Sequence, residues 1–137
     1  MTERNNPFHK KKSGVFFFKS SNPYEFYDLL NGVDMEPKQD VWGTLIFPEN
    51  AKLPCPVIVP IHGSAGLREG HHTHMVNLLE AGFAVFRIHH FESRGVISIV
   101  ENQTQVTLAT MITDAFRALA LLNKHRDIDK NKIGIRG

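Results

Sequence analysis

One junction constrains this chain more than any other. The apolar run Val57-Ile58-Val59-Pro60-Ile61 passes directly into His62-Gly63-Ser64-Ala65-Gly66, and a helical segment follows. A continuous apolar run of strand length suits a strand buried on both faces, as in a parallel sheet. Pro60 removes one ladder hydrogen bond, a loss best tolerated near the end of a strand. Gly63 and Gly66 permit a tight path out of that strand and a close approach of backbone to any ligand above it.

The remaining elements follow from periodicity. Residues 24–30 have the character of one or two helical turns, closed by Asn31-Gly32. Residues 41–47 are rich in β-branched and aromatic side chains and end at Pro48, as a strand does. A helix is expected over residues 73–81, with Met75, Leu78 and Leu79 on its apolar face and Gly82 as its stop. Residues 83–88 form the next strand, and residues 89–103 a loop. Leu108, Met111, Ile112, Ala115, Phe116, Leu119 and Leu122 recur at steps of three and four, which predicts a core-facing helix over residues 104–126. A turn at residues 127–130 leads to a last strand at residues 133–135.

Strands alternating with helices imply parallel pairing through right-handed crossovers. The expected fold is therefore α/β, a three-layer sandwich around a mostly parallel sheet. Residues 1–40 are expected to be a tail and lead-in segment, and residues 41–137 the domain proper.

Composition excludes several classes. The length of 137 residues suits one domain, and 42% hydrophobic with 22% charged residues suits a packed core rather than disorder. A net charge of +2 is too small to argue for nucleic acid or a membrane surface, and Lys10-Lys11-Lys12 reads as a solvated run. Cys55 is the only cysteine, so no disulfide forms within the chain; between Pro54 and Pro56 it has no motif of a nucleophile. No apolar stretch approaches the roughly 20 residues that span a bilayer. The apolar run at residues 14–18 falls short of a signal h-region of about 7–15 residues. A cytoplasmic location is the expectation.

Chemistry is sought beyond the carboxyl ends of the strands, where α/β sheets bind ligands. Three such ends stand out: His62–Gly66, His89–Gly95 and Gly137. An apolar strand, then His-Gly-small-small-Gly, then a helix is the pattern of an oxyanion loop. Acyl transfer places negative charge on a carbonyl oxygen, and backbone N–H groups aimed at that oxygen stabilise it. The N–H of Ser64 is the expected donor, with Gly63 and His62 shaping the loop. The competing reading is a glycine-rich βα loop of any α/β protein. No G-x-G-x-x-G or G-x-x-x-x-G-K-[ST] stands at a strand–helix junction, so no nucleotide cofactor is expected.

The histidines form a second group: His71, His72 and His74 before one helix, His89 and His90 after one strand. Clustered imidazoles can ligate zinc, but neither an H-E-x-x-H nor a carboxylate at motif spacing accompanies them. No metal is expected.

The segments VIVPIHGSAG (residues 57–66), LEAGFAVFRIHHFESRG (79–95) and DKNKIGIRG (129–137) resemble the N-terminal half of a dienelactone hydrolase-like α/β-hydrolase. The resemblance runs from about residue 41 to residue 137. It implies a Ser or Cys nucleophile, an Asp or Glu and a His, acting on ester or lactone bonds without a cofactor. It makes Gly137 the first glycine of a G-x-S-x-G turn, so nucleophile, acid and base are absent from residues 1–137. It places Arg94-Gly95 in a structural role near the pocket, with Arg94 and Ala65 as candidate substrate-side residues. Where the family often carries Asp, this chain has His89, followed by His90-Phe91-Glu92-Ser93-Arg94-Gly95. The implied partner is a small ester-like molecule. Residues 1–137 alone are expected to be inactive; the alternatives are a non-catalytic α/β binding module and a histidine-rich metal binder.

Overall fold

The computed structural model describes residues 13–63, 66 and 69–136, without the side chains of residues 69 and 70. Five strands form one sheet: β1 (Gly14–Ser20), β2 (Gln39–Ile46), β3 (Cys55–Pro60), β4 (Ala84–Ile88) and β5 (Ile128–Arg136). They lie side by side in the order β1-β2-β4-β3-β5. Among the described residues three α-helices accompany them: α1 (Phe26–Asn31), α2 (Glu69–Glu80) and α3 (Leu108–Leu122).

The sheet is mixed, which corrects the expectation of a mostly parallel one. β3 pairs in parallel with β4 and β5, while β2 pairs antiparallel with both β1 and β4. The reason is topological. No crossover helix joins β2 to β3, and β2 docks beside β4, so it runs against its neighbours. Strands β1, β3, β4 and β5 then share one direction, and their carboxyl ends share one pole. Gly14–Ser20 is a strand of the sheet although it falls in the segment expected to be lead-in.

The core follows the period-two geometry of strands. Val41 and Leu45 of β2, Cys55, Val57 and Val59 of β3, and Ala84, Phe86 and Ile88 of β4 form one buried layer. Ala115, Ala118 and Leu122 of α3 pack on it. Pro60 remains in the ladder as the last residue of β3, opposite Arg136. Cys55 is buried, and that burial pushes its thiol above its ordinary range, which suits packing rather than nucleophilic chemistry.

Helix α3 begins later than expected, at a side-chain cap: Thr107 accepts from the Thr110 N–H at 3.1 Å. Its phase also differs. Met111, Ala115 and Leu122 of the expected stripe are buried, but Leu108 and Phe116 are exposed. Thr110, Thr113 and Asp114 are buried instead. The helix is rotated so that a carboxylate, not a phenyl ring, faces the protein. Helix α1 ends as read, with Gly32 in the left-handed region at φ 73° donating its N–H to the Asp28 carbonyl.

Gly43 sits in the core layer between Val41 and Leu45, and a side chain there would overlap the Phe86 ring. Gly43→Ala will lower stability by about 1–3 kcal/mol, the usual range for overpacking a core. Urea denaturation measures this; an unchanged midpoint would mean that β2 and β4 are not held as closely as described.

Candidate active site

The site is built around a carboxylate that sequence periodicity does not reveal. Asp114 of α3 is fully buried. Its Oδ1 accepts from Ser20 Oγ at 2.5 Å and Arg94 Nη2 at 2.8 Å; its Oδ2 accepts from His90 Nδ1 and Arg94 Nη1, both at 2.7 Å. Burial pushes its pKa up, but the bonds from His90 and Arg94, with the charge of Arg94, outweigh this and hold it below the usual aspartate range. The four donors come from the end of β1, the segment after β4, and a 3-10 turn at Glu92–Arg94. They meet because β1 and β4 end at the same pole.

Arg94 has no N–H to spare. Besides its fork onto Asp114, it donates to the Asn22 side chain at 2.7 Å, the His90 carbonyl at 2.9 Å and the Ser21 carbonyl at 3.3 Å. Its side chain is 7% exposed. All five donors of the guanidinium are thus committed. The guanidinium is thus engaged with the protein itself. The turn closes at Gly95, left-handed at φ 70°.

His62 follows β3 and is 5% exposed. Its Nδ1 lies 3.0 Å from the Gly63 carbonyl oxygen, which therefore accepts from Nδ1–H. Its ring packs edge-on against Phe91, with centroids 4.5 Å apart, and against His90 at 5.3 Å. Burial lowers the pKa of His62, with His90 and His71 adding to the effect against the Gly63 bond. The Gly66 N–H donates to the Gly63 carbonyl at 3.0 Å, so Gly63–Gly66 is a tight turn. Gly66 holds φ 80°, and a side chain there would press on the Ile97 carbonyl. Ser64 and Ala65 lie outside the described residues.

The other expected groups sit as follows. His89 faces β2: its Nε2 meets Thr44 Oγ1 at 2.9 Å and its Nδ1 meets Glu92 at 3.1 Å, while its ring stacks on Trp42. Glu92 is half-exposed and also pairs with Arg87 at 3.5 Å. Burial would raise its pKa, but His89 and Arg87 hold it below the usual value. His71, His72 and His74 belong to α2, which begins earlier than expected. Among the described residues no three His, Cys, Asp or Glu side chains gather as a metal cage. No helix among them is long and apolar enough to cross a membrane.

The carboxyl ends of β3 and β5 are adjacent, since the Ile61 N–H donates to the Arg136 carbonyl at 2.7 Å. The His62–Gly66 turn therefore stands beside the point where β5 ends.

This architecture has counterparts among solved structures. A putative dienelactone hydrolase from Klebsiella pneumoniae subsp. pneumoniae MGH 78578 superposes with a TM-score of 0.57 at 15% identity, over 89% of this chain and 49% of that one. The fold is α/β-hydrolase-like. A glucuronoyl esterase from Solibacter usitatus matches with a TM-score of 0.48 at 18% identity, over 90% of this chain and 45% of that one. A dienelactone hydrolase-like promiscuous phosphotriesterase from metagenomic libraries matches with a TM-score of 0.48 at 14% identity, over 90% and 48%. The chain spans about half the length of these structures. No family model and no curated protein matches the sequence.

Asp114→Asn will cost about 3–5 kcal/mol, because it leaves the Arg94 guanidinium buried without its counter-charge. The wild-type protein also carries a pH signature. With the folded pKa of Asp114 below the unfolded value, the unfolded chain binds more protons between the two. The Asp114 contribution is thus complete above the unfolded value of about 3.9 and is lost as pH falls through the folded one. Denaturation midpoints from neutral pH down to about 3 will show a decline in the wild type that is shallower in Asp114→Asn. Parallel curves would show that Asp114 is not the group responsible.

Proposed function

We propose that residues 1–137 are the half of an α/β-hydrolase that cradles the developing oxyanion, in a protein acting on ester or lactone bonds of a small molecule. The observation that supports this reading is the Gly63–Gly66 turn at the end of β3, set beside the end of β5. A nucleophile presented just after β5 would attack an acyl carbon held above the turn. The acyl oxygen would become an oxyanion. The Ser64 N–H and the N–H following the nucleophile would stabilise it. Its collapse would break the ester bond and expel the alcohol oxygen, which the acid–base partners would protonate, and water would then hydrolyse the acyl-enzyme to free acid and nucleophile. Ala65 would line the same side of the pocket. Residues 1–137 contain no G-x-S-x-G or G-x-C-x-G, so the attacking group and its acid–base partners would be supplied from beyond Gly137.

The surface is consistent with a larger domain. Leu108 and Phe116 of α3 and Ile135 of β5 are exposed. Further strands and helices beyond β5 would cover apolar groups of this kind, whereas a free-standing binding module would bury them itself.

Residues 1–137 by themselves will not hydrolyse a p-nitrophenyl ester above background. Turnover that disappears on substitution of a residue within this segment would overturn the reading. The reading also expects x-Ser-x-Gly or x-Cys-x-Gly directly after Gly137 in the gene; a different continuation would remove its basis.

A further inference from the structure

Among the described residues, two buried imidazoles at the strand-end pole have a ring nitrogen without a hydrogen-bond partner. The Nε2 atoms of His62 and His90 are both buried and have no hydrogen-bond partner. Their other ring nitrogens explain which form each presents. His90 Nδ1 faces the Asp114 carboxylate at 2.7 Å, an acceptor that requires Nδ1–H. His62 Nδ1 faces the Gly63 carbonyl at 3.0 Å, which requires the same. In its neutral form each ring carries its lone pair at Nε2. Leaving a buried polar atom unpaired costs about 1–3 kcal/mol.

This is the arrangement found around metal-bound histidines. Such a histidine donates its second ring N–H to a carboxylate or a backbone carbonyl, which fixes the tautomer and aims the lone pair. His90 has the carboxylate and His62 the carbonyl. The separation fits as well. With metal–nitrogen bonds of about 2.0–2.1 Å, a ring radius of about 1.1 Å and a tetrahedral angle, two imidazoles on one ion have centroids about 5.2 Å apart. The His62 and His90 centroids are 5.3 Å apart, with the rings nearly perpendicular. Phe91 packs edge-on against His62 and supplies an apolar wall. His89 does not compete, because both its nitrogens are engaged with Thr44 and Glu92.

We propose that His62 and His90 form a two-imidazole site for a borderline divalent metal ion of the zinc type. The protein supplies two ligands, and oxygen atoms of solvent or of a bound small molecule complete the coordination. Affinity is accordingly modest, below that of sites with three or four protein ligands. The site does not depend on the hydrolase reading, and its test does not read esterase activity.

The test is calorimetric titration of the untagged protein with Zn2+, backed by the absorption spectrum of Co2+. Three proteins are compared: wild type, His62→Gln, and the triple variant His71→Ala, His72→Ala, His74→Ala. His62→Gln is chosen over a change at His90 because it leaves the Asp114 network intact. His74 enters the control because its Nε2 is likewise buried without a partner. The expected result is one Zn2+ per wild-type chain, affinity weakened about tenfold or more in His62→Gln, and affinity retained in the triple variant. Absence of binding to wild type, undiminished binding by His62→Gln, or loss in the triple variant would each overturn the proposal.

Discussion

The pole of the sheet that carries the site is assembled on one buried charge. Asp114 is fully buried and ionised, and moving a carboxylate out of water costs several kcal/mol unless it is paired and fully hydrogen-bonded. Here both oxygens receive two donors each, from Ser20, His90 and the two arms of Arg94. The bidentate fork gives orientation as well as energy. Because the donors lie at the end of β1 and on both sides of Phe91, satisfying Asp114 fixes α3, β1 and the segment after β4 relative to one another.

That constraint reaches the site through short steps. Arg94 draws the 3-10 turn against the sheet, and the turn holds Phe91 in a small cluster with Ile99, Val106 and Met111. Phe91 and His90 then form the surface on which the His62 ring rests. His62 in turn bonds the same Gly63 carbonyl that closes the Gly63–Gly66 turn. On the proposed reading the loop would present backbone N–H groups to a developing charge and would need such support, since donors that reorganise during the reaction lose their advantage. Thus one carboxylate underlies both the posture of the turn and the tautomer of His90.

Much of this was legible in the sequence, and the exceptions have physical causes. The apolar runs of β3 and β4, the glycine stop of α1 and the tight turn after β3 each rest on local chemistry. Strand direction does not. β2 lies next to β4, far along the chain, and nothing in residues 41–47 records which neighbour it will find. β1 was obscured because Phe16 and Phe18 face inward while Phe17 faces out, beside a lysine-rich stretch, so the alternation resembles a tail with aromatic residues. The phase of α3 is hidden for a related reason. Periodicity counts apolar side chains, so it points Leu108 and Phe116 to the core and gives no weight to Asp114. A signal was present: Asp114 follows Thr110 by four residues and stands between Met111 and Ala118, a carboxylate among small and apolar positions. His90 could not be recognised without it, because a histidine is defined by what its second nitrogen meets.

The most direct measurement is an NMR titration of the side-chain carboxyl carbon of Asp114 in the folded protein. If the pole is built on this charge, the resonance will keep its ionised position well below the ordinary aspartate value of about 3.9. It will move only as the protein itself unfolds in acid. A resonance that titrates at or above that ordinary value, in a protein still folded, would mean that the donors do not converge on an ionised carboxylate, and the account of the site would fail.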